Sequence, residues 1–231
     1  MQVKSGRSLS SLQRKLQKVS LFSAPVLLLL SIASPAFAHH AMGGQTPTSI
    51  FEGLLSGLAH PIIGVDHFAF VIAVGLLASV TRQGFLSIFA FVIAALIGTG
   101  LHLANLNLPG AELLISGSIL IFGCLLARKK ALPVAAIAGL AAIAGLFHGY
   151  AYGEAIIGAG MPPLFAYLVG FTLTQLVIAI SAWAVGCTLI RQQSATESLT
   201  APLKTSGLVL VGIGLAFLTS ELINLVLPAV A

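Results

Sequence analysis

Two short stretches of this sequence combine imidazole and carboxylate side chains inside otherwise apolar surroundings. The first contains His60, Asp66 and His67, with Pro61 and Gly64 between them. Neutral imidazole binds nickel, cobalt, copper and zinc, and a carboxylate adds compensating charge or orients a histidine. Alternatively, His60 and Asp66 cap two successive helices, since aspartate is a good N-cap. Capping needs one polar residue and three are present, so this stretch favours metal binding.

The second stretch runs from residue 145 to residue 154 and holds His148 and Glu154 beside a stripe of small residues. Three glycines recur there at every fourth position, which allows another helix to pack closely. Tyr152 lies one helical turn from His148, within hydrogen-bonding reach. The glycines therefore predict helix packing, whereas His148 and Glu154 are candidate metal ligands.

The elements that position these residues are membrane-spanning helices. The chain is 58% apolar and 7% charged, with a mean hydropathy of +1.05, whereas soluble domains carry about a quarter charged residues. Apolar runs of about 20 residues predict an all-α integral membrane protein in a lipid bilayer. We expect about six transmembrane helices, the first of them broken near Pro61–Gly64. The predicted segments are roughly 50–80, 85–105, 111–127, 132–152, 162–191 and 205–228.

Residues 1–38 have the order of a secretory signal peptide. A basic start is followed by a short apolar core over residues 21–32 and by Ala36 and Ala38 in an A-x-A cleavage pattern. An uncleaved N-terminal anchor is the alternative. Cleavage after Ala38 leaves residues 39–231 as a single polytopic domain that begins with His39 and His40. The α-amine and the two imidazoles of that terminus are candidates for the first contact with a metal ion.

The basic residues predict the topology. Five of them precede residue 19, and the rest fall in three connections, at Arg82, at 128–130, and at Arg191 with Lys204. The positive-inside rule places these connections in the cytoplasm. Alternation of the helices then places both mature termini in the periplasm, in an inner membrane. The formal charge of +5 resides in the leader, so we expect no nucleic-acid partner.

This topology concentrates the histidines and most of the acids toward the outer half of the membrane. Ionisable groups in hydrocarbon cost several kcal/mol unless paired or hydrated, and they are functional candidates by default. His102 and Glu221 are further candidates along an ion path, together with Tyr152. Glu52 and Glu112 are expected in the headgroup region.

The two stretches resemble the motifs of the HupE/UreJ family of nickel and cobalt permeases. That family has H-x5-D-H in the first span and F-H-G-x-A-H-G-x-E in a later one. The corresponding residues here are His60, Asp66 and His67, then Phe147, His148, Gly149, Ala151, Tyr152, Gly153 and Glu154. Tyr152 departs from the pattern, because the family usually has histidine there. The departure removes a nitrogen ligand or leaves a phenol in its place.

The resemblance implies uptake of Ni²⁺ or Co²⁺ from periplasm to cytoplasm, with the ion as cargo rather than cofactor and with no enzymatic activity. Three alternatives remain open: an intramembrane metalloenzyme, a haem-binding redox subunit, and a structural partner of a larger complex. The sequence has no H-E-x-x-H motif for the first and no Walker-type loop for ATP hydrolysis.

Overall fold

The computed structural model describes residues 45–128, 132–192 and 201–227. The predicted signal peptide and the predicted terminal residues His39 and His40 lie outside these ranges. All seven regular elements in the described residues are α-helices, as expected. They are α1 (Ile50–Ile63), α2 (Val65–Ser79), α3 (Phe85–Leu103), α4 (Ala111–Ala127), α5 (Val134–Glu154), α6 (Met161–Arg191) and α7 (Ala201–Val226).

Length and composition identify the membrane spans among these helices. Helices α3, α5, α6 and α7 are long and apolar enough to cross a membrane, and the α1–α2 pair makes a fifth candidate span, bent by 76°. Helix α4 is apolar but has 17 residues, which is the lower limit of the spanning range. Many large apolar side chains face outward, among them Phe89, Ile93 and Ile97 on one face of α3. An apolar exterior of this kind suits lipid and confirms a membrane protein.

The predicted break in the first span is present, and it falls at Gly64. Helix α1 continues through Pro61 for most of a further turn and stops at Gly64, whose backbone is extended (φ −69°, ψ 99°). The Gly64 amide donates to the carbonyl oxygen of His60 at 3.1 Å, and its own carbonyl accepts from Phe68 at 2.8 Å. One residue therefore ends α1 and starts α2.

The start of α1 is held by a capping box. Ser49 accepts a hydrogen bond from the Glu52 amide at 3.2 Å, and the Glu52 carboxylate accepts from the amides of Thr48 and Ser49 at 2.7 and 3.3 Å. Glu52 thus has a structural role at a helix N-terminus, consistent with its predicted place near the membrane surface.

Replacing Ser49 with alanine is expected to lower the free energy of unfolding by about 1 kcal/mol, because the Glu52 amide loses the side-chain oxygen that caps it. Thermal unfolding of the detergent-solubilised protein measures this. The Ser49→Thr variant keeps a hydroxyl and serves as the control. An alanine variant as stable as the unmutated protein would contradict the capping role.

Helix α2 forms the centre of the bundle. Most of its residues from Asp66 to Ala78 are buried, and its neighbours include α4, α6 and α7. A buried apolar core surrounds it, with Phe70, Ile88, Phe91 and Ile119 fully inaccessible. Because α2 begins at the break, the break lies at the edge of this core.

The glycine stripe on α5 packs closely against another helix, as predicted, and the structure shows that this helix is α3. A Cβ atom built on Gly145 would lie 2.5 Å from the Phe91 carbonyl oxygen, and one on Gly149 would overlap the Ala95 carbonyl oxygen. Thr99 on α3 donates to the Gly149 carbonyl at 2.7 Å and ties the two backbones together. Close approach of this kind is available only to residues without a side chain.

Contacts between connecting segments define the two ends of the bundle. Thr46 donates to the carbonyl of Ile157 at 3.1 Å, so the start of α1 adjoins the α5–α6 connection. At the other end, the α2–α3 and α4–α5 connections share a cavity of about 400 Å³ lined by residues that include Arg82 and Leu132. The end that adjoins Thr46 is called the outer end below.

Candidate metal-binding site

Three histidines from three helices meet inside the bundle. His60 comes from the last turn of α1, His67 from the first turn of α2 and His148 from α5, and each is 1% exposed or less. The Nδ1 atoms of His67 and His148 form a hydrogen bond of 2.8 Å. The ring centroids of His60 and His67 are 5.7 Å apart. We call His60, His67 and His148 the histidine cluster.

The break at Gly64 makes room for this arrangement. A Cβ atom on Gly64 would lie 2.6 Å from Cδ2 of His67 and 3.2 Å from the Asp66 carboxylate. Asp66 is 6% exposed and accepts the His67 amide at 2.8 Å in the first turn of α2. The carboxylate therefore binds a backbone amide of the first turn and also lies beside the cluster.

Tyr152, the residue that departs from the family pattern, lies within the cluster. Its ring is fully buried, with its centroid 4.9 Å from that of His60 and 4.5 Å from that of His67. Its hydroxyl lies near the buried side-chain amide of Gln175 on α6. Within the described residues, neither the Tyr152 hydroxyl nor the Gln175 amide has a partner in hydrogen-bonding geometry. Both polar groups are thus buried without a hydrogen bond to the described residues in this arrangement.

Two hydroxyl groups that were not predicted from the sequence contact the histidines. Tyr167 on α6 lies 2.9 Å from Nδ1 of His60, and Ser118 on α4 lies 3.1 Å from Nε2 of His148. Both side chains are buried. In the sequence, each of these residues is only a hydroxyl-bearing side chain in an apolar segment. Such side chains are common in membrane helices, so the sequence does not single out these two.

Aromatic rings close the cluster on one side. Phe70 stacks on His148 with a centroid distance of 4.4 Å, and Phe91 meets the same imidazole at 5.9 Å. Phe122 packs on Phe70 at 4.7 Å. These three rings are each 1% exposed or less, so His148 adjoins a buried apolar layer.

The cluster lies in the outer half of the bundle. His148 and Tyr167 are each six residues from the outer end of their helix, and His60 is ten residues from the start of α1. At 1.5 Å per residue, these positions are about 9–15 Å from the outer end.

Other predicted site residues lie elsewhere. His102 is half-buried on α3, with its ring 4.2 Å from that of Tyr150. Glu154 is exposed at the end of α5, six residues and about 9 Å along the helix axis from His148. Glu221 is half-buried on α7. Across the described ranges, no three His, Cys, Asp or Glu side chains are grouped so that they could hold one ion in this conformation.

Comparisons with known proteins identify related sequences. A family model described as "HupE / UreJ protein" matches residues 27–217. Protein HupE of Rhizobium leguminosarum bv. viciae is 29% identical over 161 residues, which cover 69% of this chain and 81% of that protein. No solved structure matches the chain.

Proposed function

Because this chain belongs to the HupE/UreJ family, we propose that it carries divalent nickel or cobalt across the inner membrane, from periplasm to cytoplasm. The observation that carries the proposal is the meeting of His60, His67 and His148 in one buried cluster of a membrane-spanning bundle. Burying three imidazoles costs free energy unless they are hydrogen-bonded, and ionisable residues inside a membrane are functional candidates by default. Neutral imidazole is also the side chain that first-row divalent metals prefer.

The surroundings of the cluster suit a doubly charged ion. Asp66 supplies negative charge at the start of α2, and the Tyr152 hydroxyl and Gln175 amide supply oxygen atoms. These groups would replace part of the hydration shell as the ion enters. The described residues form a hydrogen-bonded network rather than a closed set of ligands, and a transport site needs affinity low enough for release.

A route follows from the positions of the remaining candidates. The terminal residues His39 and His40 would meet the ion first in the periplasm, and Glu154 lies at the outer end of α5. The ion would then reach His60 and His67 in the outer half of the bundle. An inside-negative potential of 100 mV would favour entry of a divalent ion by about 4.6 kcal/mol.

The packing around His148 argues against the haem alternative. Phe70 stacks on this imidazole, and both of its ring nitrogens already make hydrogen bonds, to His67 and Ser118. A porphyrin would have to displace both the stacked ring and one of these bonds. A small ion needs no such rearrangement.

Liposomes that contain only this protein and an internal metal-sensitive dye test the proposal. With an inside-negative potential imposed, Ni²⁺ or Co²⁺ is expected to enter faster than Mn²⁺, because nitrogen ligands favour the later metals. Zn²⁺ also binds nitrogen ligands well, so its rate of entry shows whether uptake follows nitrogen affinity alone. Protein-free liposomes give the blank rate. Entry of Ni²⁺ and Co²⁺ at the blank rate would refute the proposed function.

A further inference from the structure

Tyr167 determines which nitrogen of His60 carries the proton. The Tyr167 hydroxyl lies 2.7 Å from the carbonyl oxygen of Tyr152 and 2.9 Å from Nδ1 of His60. A carbonyl oxygen can only accept, so the single phenolic proton is donated to Tyr152. His60 must then donate from Nδ1 to the phenol oxygen. The lone pair of the neutral His60 ring consequently lies on Nε2.

Ser118 acts on the other two histidines in the same way. Its hydroxyl donates to the Ile115 carbonyl at 2.6 Å, so His148 must donate to it from Nε2. The lone pair of neutral His148 is then on Nδ1, where it accepts from Nδ1 of His67 at 2.8 Å. His67 therefore also carries its proton on Nδ1 and its lone pair on Nε2.

We infer that Tyr167 and Ser118 are positioning residues that fix the histidine tautomers, so that His60 and His67 present two Nε2 lone pairs to one divalent cation while His148 orients His67. The identity of the cation rests on the proposed function, whereas the tautomers rest on the hydrogen bonds alone. The inference gives the three histidines unequal roles: two are ligands and His148 supports one of them.

The spacing of the two ligand rings agrees with this assignment. An ion about 2.1 Å from each nitrogen lies about 3 Å from each imidazole centroid, which puts the two centroids about 4.5–6.5 Å apart. The observed separation of His60 and His67 is 5.7 Å, and both Nε2 atoms are buried. An ion between the two Nδ1 atoms of His67 and His148 would instead have to expel the proton that joins them.

Support of this kind is common around metal-binding histidines. A ligating imidazole usually donates its second N–H to an oxygen or another acceptor, and loss of that acceptor typically lowers metal affinity about 10–100-fold. Here the acceptor for His60 is the Tyr167 oxygen, and the acceptor for His67 is His148, which Ser118 holds in place.

Nitrogen-15 NMR of histidine-labelled protein tests the tautomers directly, without metal and at a pH where the rings are neutral. Single substitutions of each histidine assign the signals. We expect Nδ1–H for His60 and His67 and Nε2–H for His148. Tyr167→Phe should alter the tautomer ratio of His60 alone, and Ser118→Ala should alter those of His148 and His67. Tyr150→Phe and Thr188→Val, which remove hydroxyls outside the cluster, should alter none.

Metal transport provides the second readout. Tyr167→Phe and Ser118→Ala are each expected to raise the KM for metal uptake by about 10–100-fold, and Ser118→Thr should restore most of the loss. Wild-type tautomers other than those stated would overturn the inference, whatever the uptake result. A wild-type protein that shows these tautomers but moves no metal would instead overturn the proposed function.

Discussion

Replacing His67 with alanine is expected to lower metal uptake by about a hundredfold or more, the largest effect of any single side chain in the cluster. His67 is the residue that joins the others: it bonds to His148 and its ring contacts those of His60 and Tyr152. The substitution removes one proposed ligand and also leaves His148 without the donor for its Nδ1 atom. Uptake of Ni²⁺ and Co²⁺ into liposomes measures the loss.

The control for this experiment is Leu77→Ala. Leu77 is 1% exposed on the same helix, so its truncation also leaves a void but removes no polar atom. Both variants should be less stable than the unmutated protein, and only His67→Ala should lose transport. Uptake by His67→Ala at the unmutated rate would remove the histidine cluster from the ion path.

Introducing valine at Gly149 is expected to separate α3 from α5 and to destabilise the protein by about 3 kcal/mol, at the upper end of overpacking effects. The first added carbon would overlap the Ala95 carbonyl oxygen and lie 2.5 Å from two further backbone atoms of that residue. Backbone cannot rotate away as a side chain can, so one helix must move. His148, the preceding residue, would move with it, and uptake should fall together with stability.

Gly139→Val on the same helix is the matched control, because a Cβ atom at Gly139 has no heavy atom within 4 Å. The two variants have the same change in composition and helix propensity and differ in the space around them. Thermal unfolding and size-exclusion profiles in detergent would compare them. Equal stability of the two variants would show that the Gly149 contact does not determine the packing of α3 on α5.

The sequence predicted the helices and the types of the candidate ligands, because hydropathy and side-chain chemistry are local properties. Helical phase explains one difference among the predicted site residues. Tyr152 is four residues from His148 and shares its face, whereas Glu154 is six residues away and lies about 240° around the helix. His148 and Glu154 are close in sequence, but their side chains therefore lie on different faces of α5.

The contributions of Tyr167 and Ser118 could not be read from the sequence. Both depend on which helices are neighbours, and α6 reaches α1 through close packing in which Gly57 meets the backbone of Tyr167. Small residues mark a surface that can be approached closely, but they do not say by which helix. The tautomers of the histidines depend in turn on these unpredicted neighbours.

The division of the first span at Gly64 also has an electrostatic consequence. Two helix termini lie in the membrane interior, and each carries about half an elementary charge from its aligned peptide dipoles. The negative terminus of α1 attracts a cation beside His60, and the positive terminus of α2 stabilises the Asp66 carboxylate in its first turn. An uninterrupted helix would offer neither. The backbone at this one break thus favours both an anionic side chain and an approaching cation.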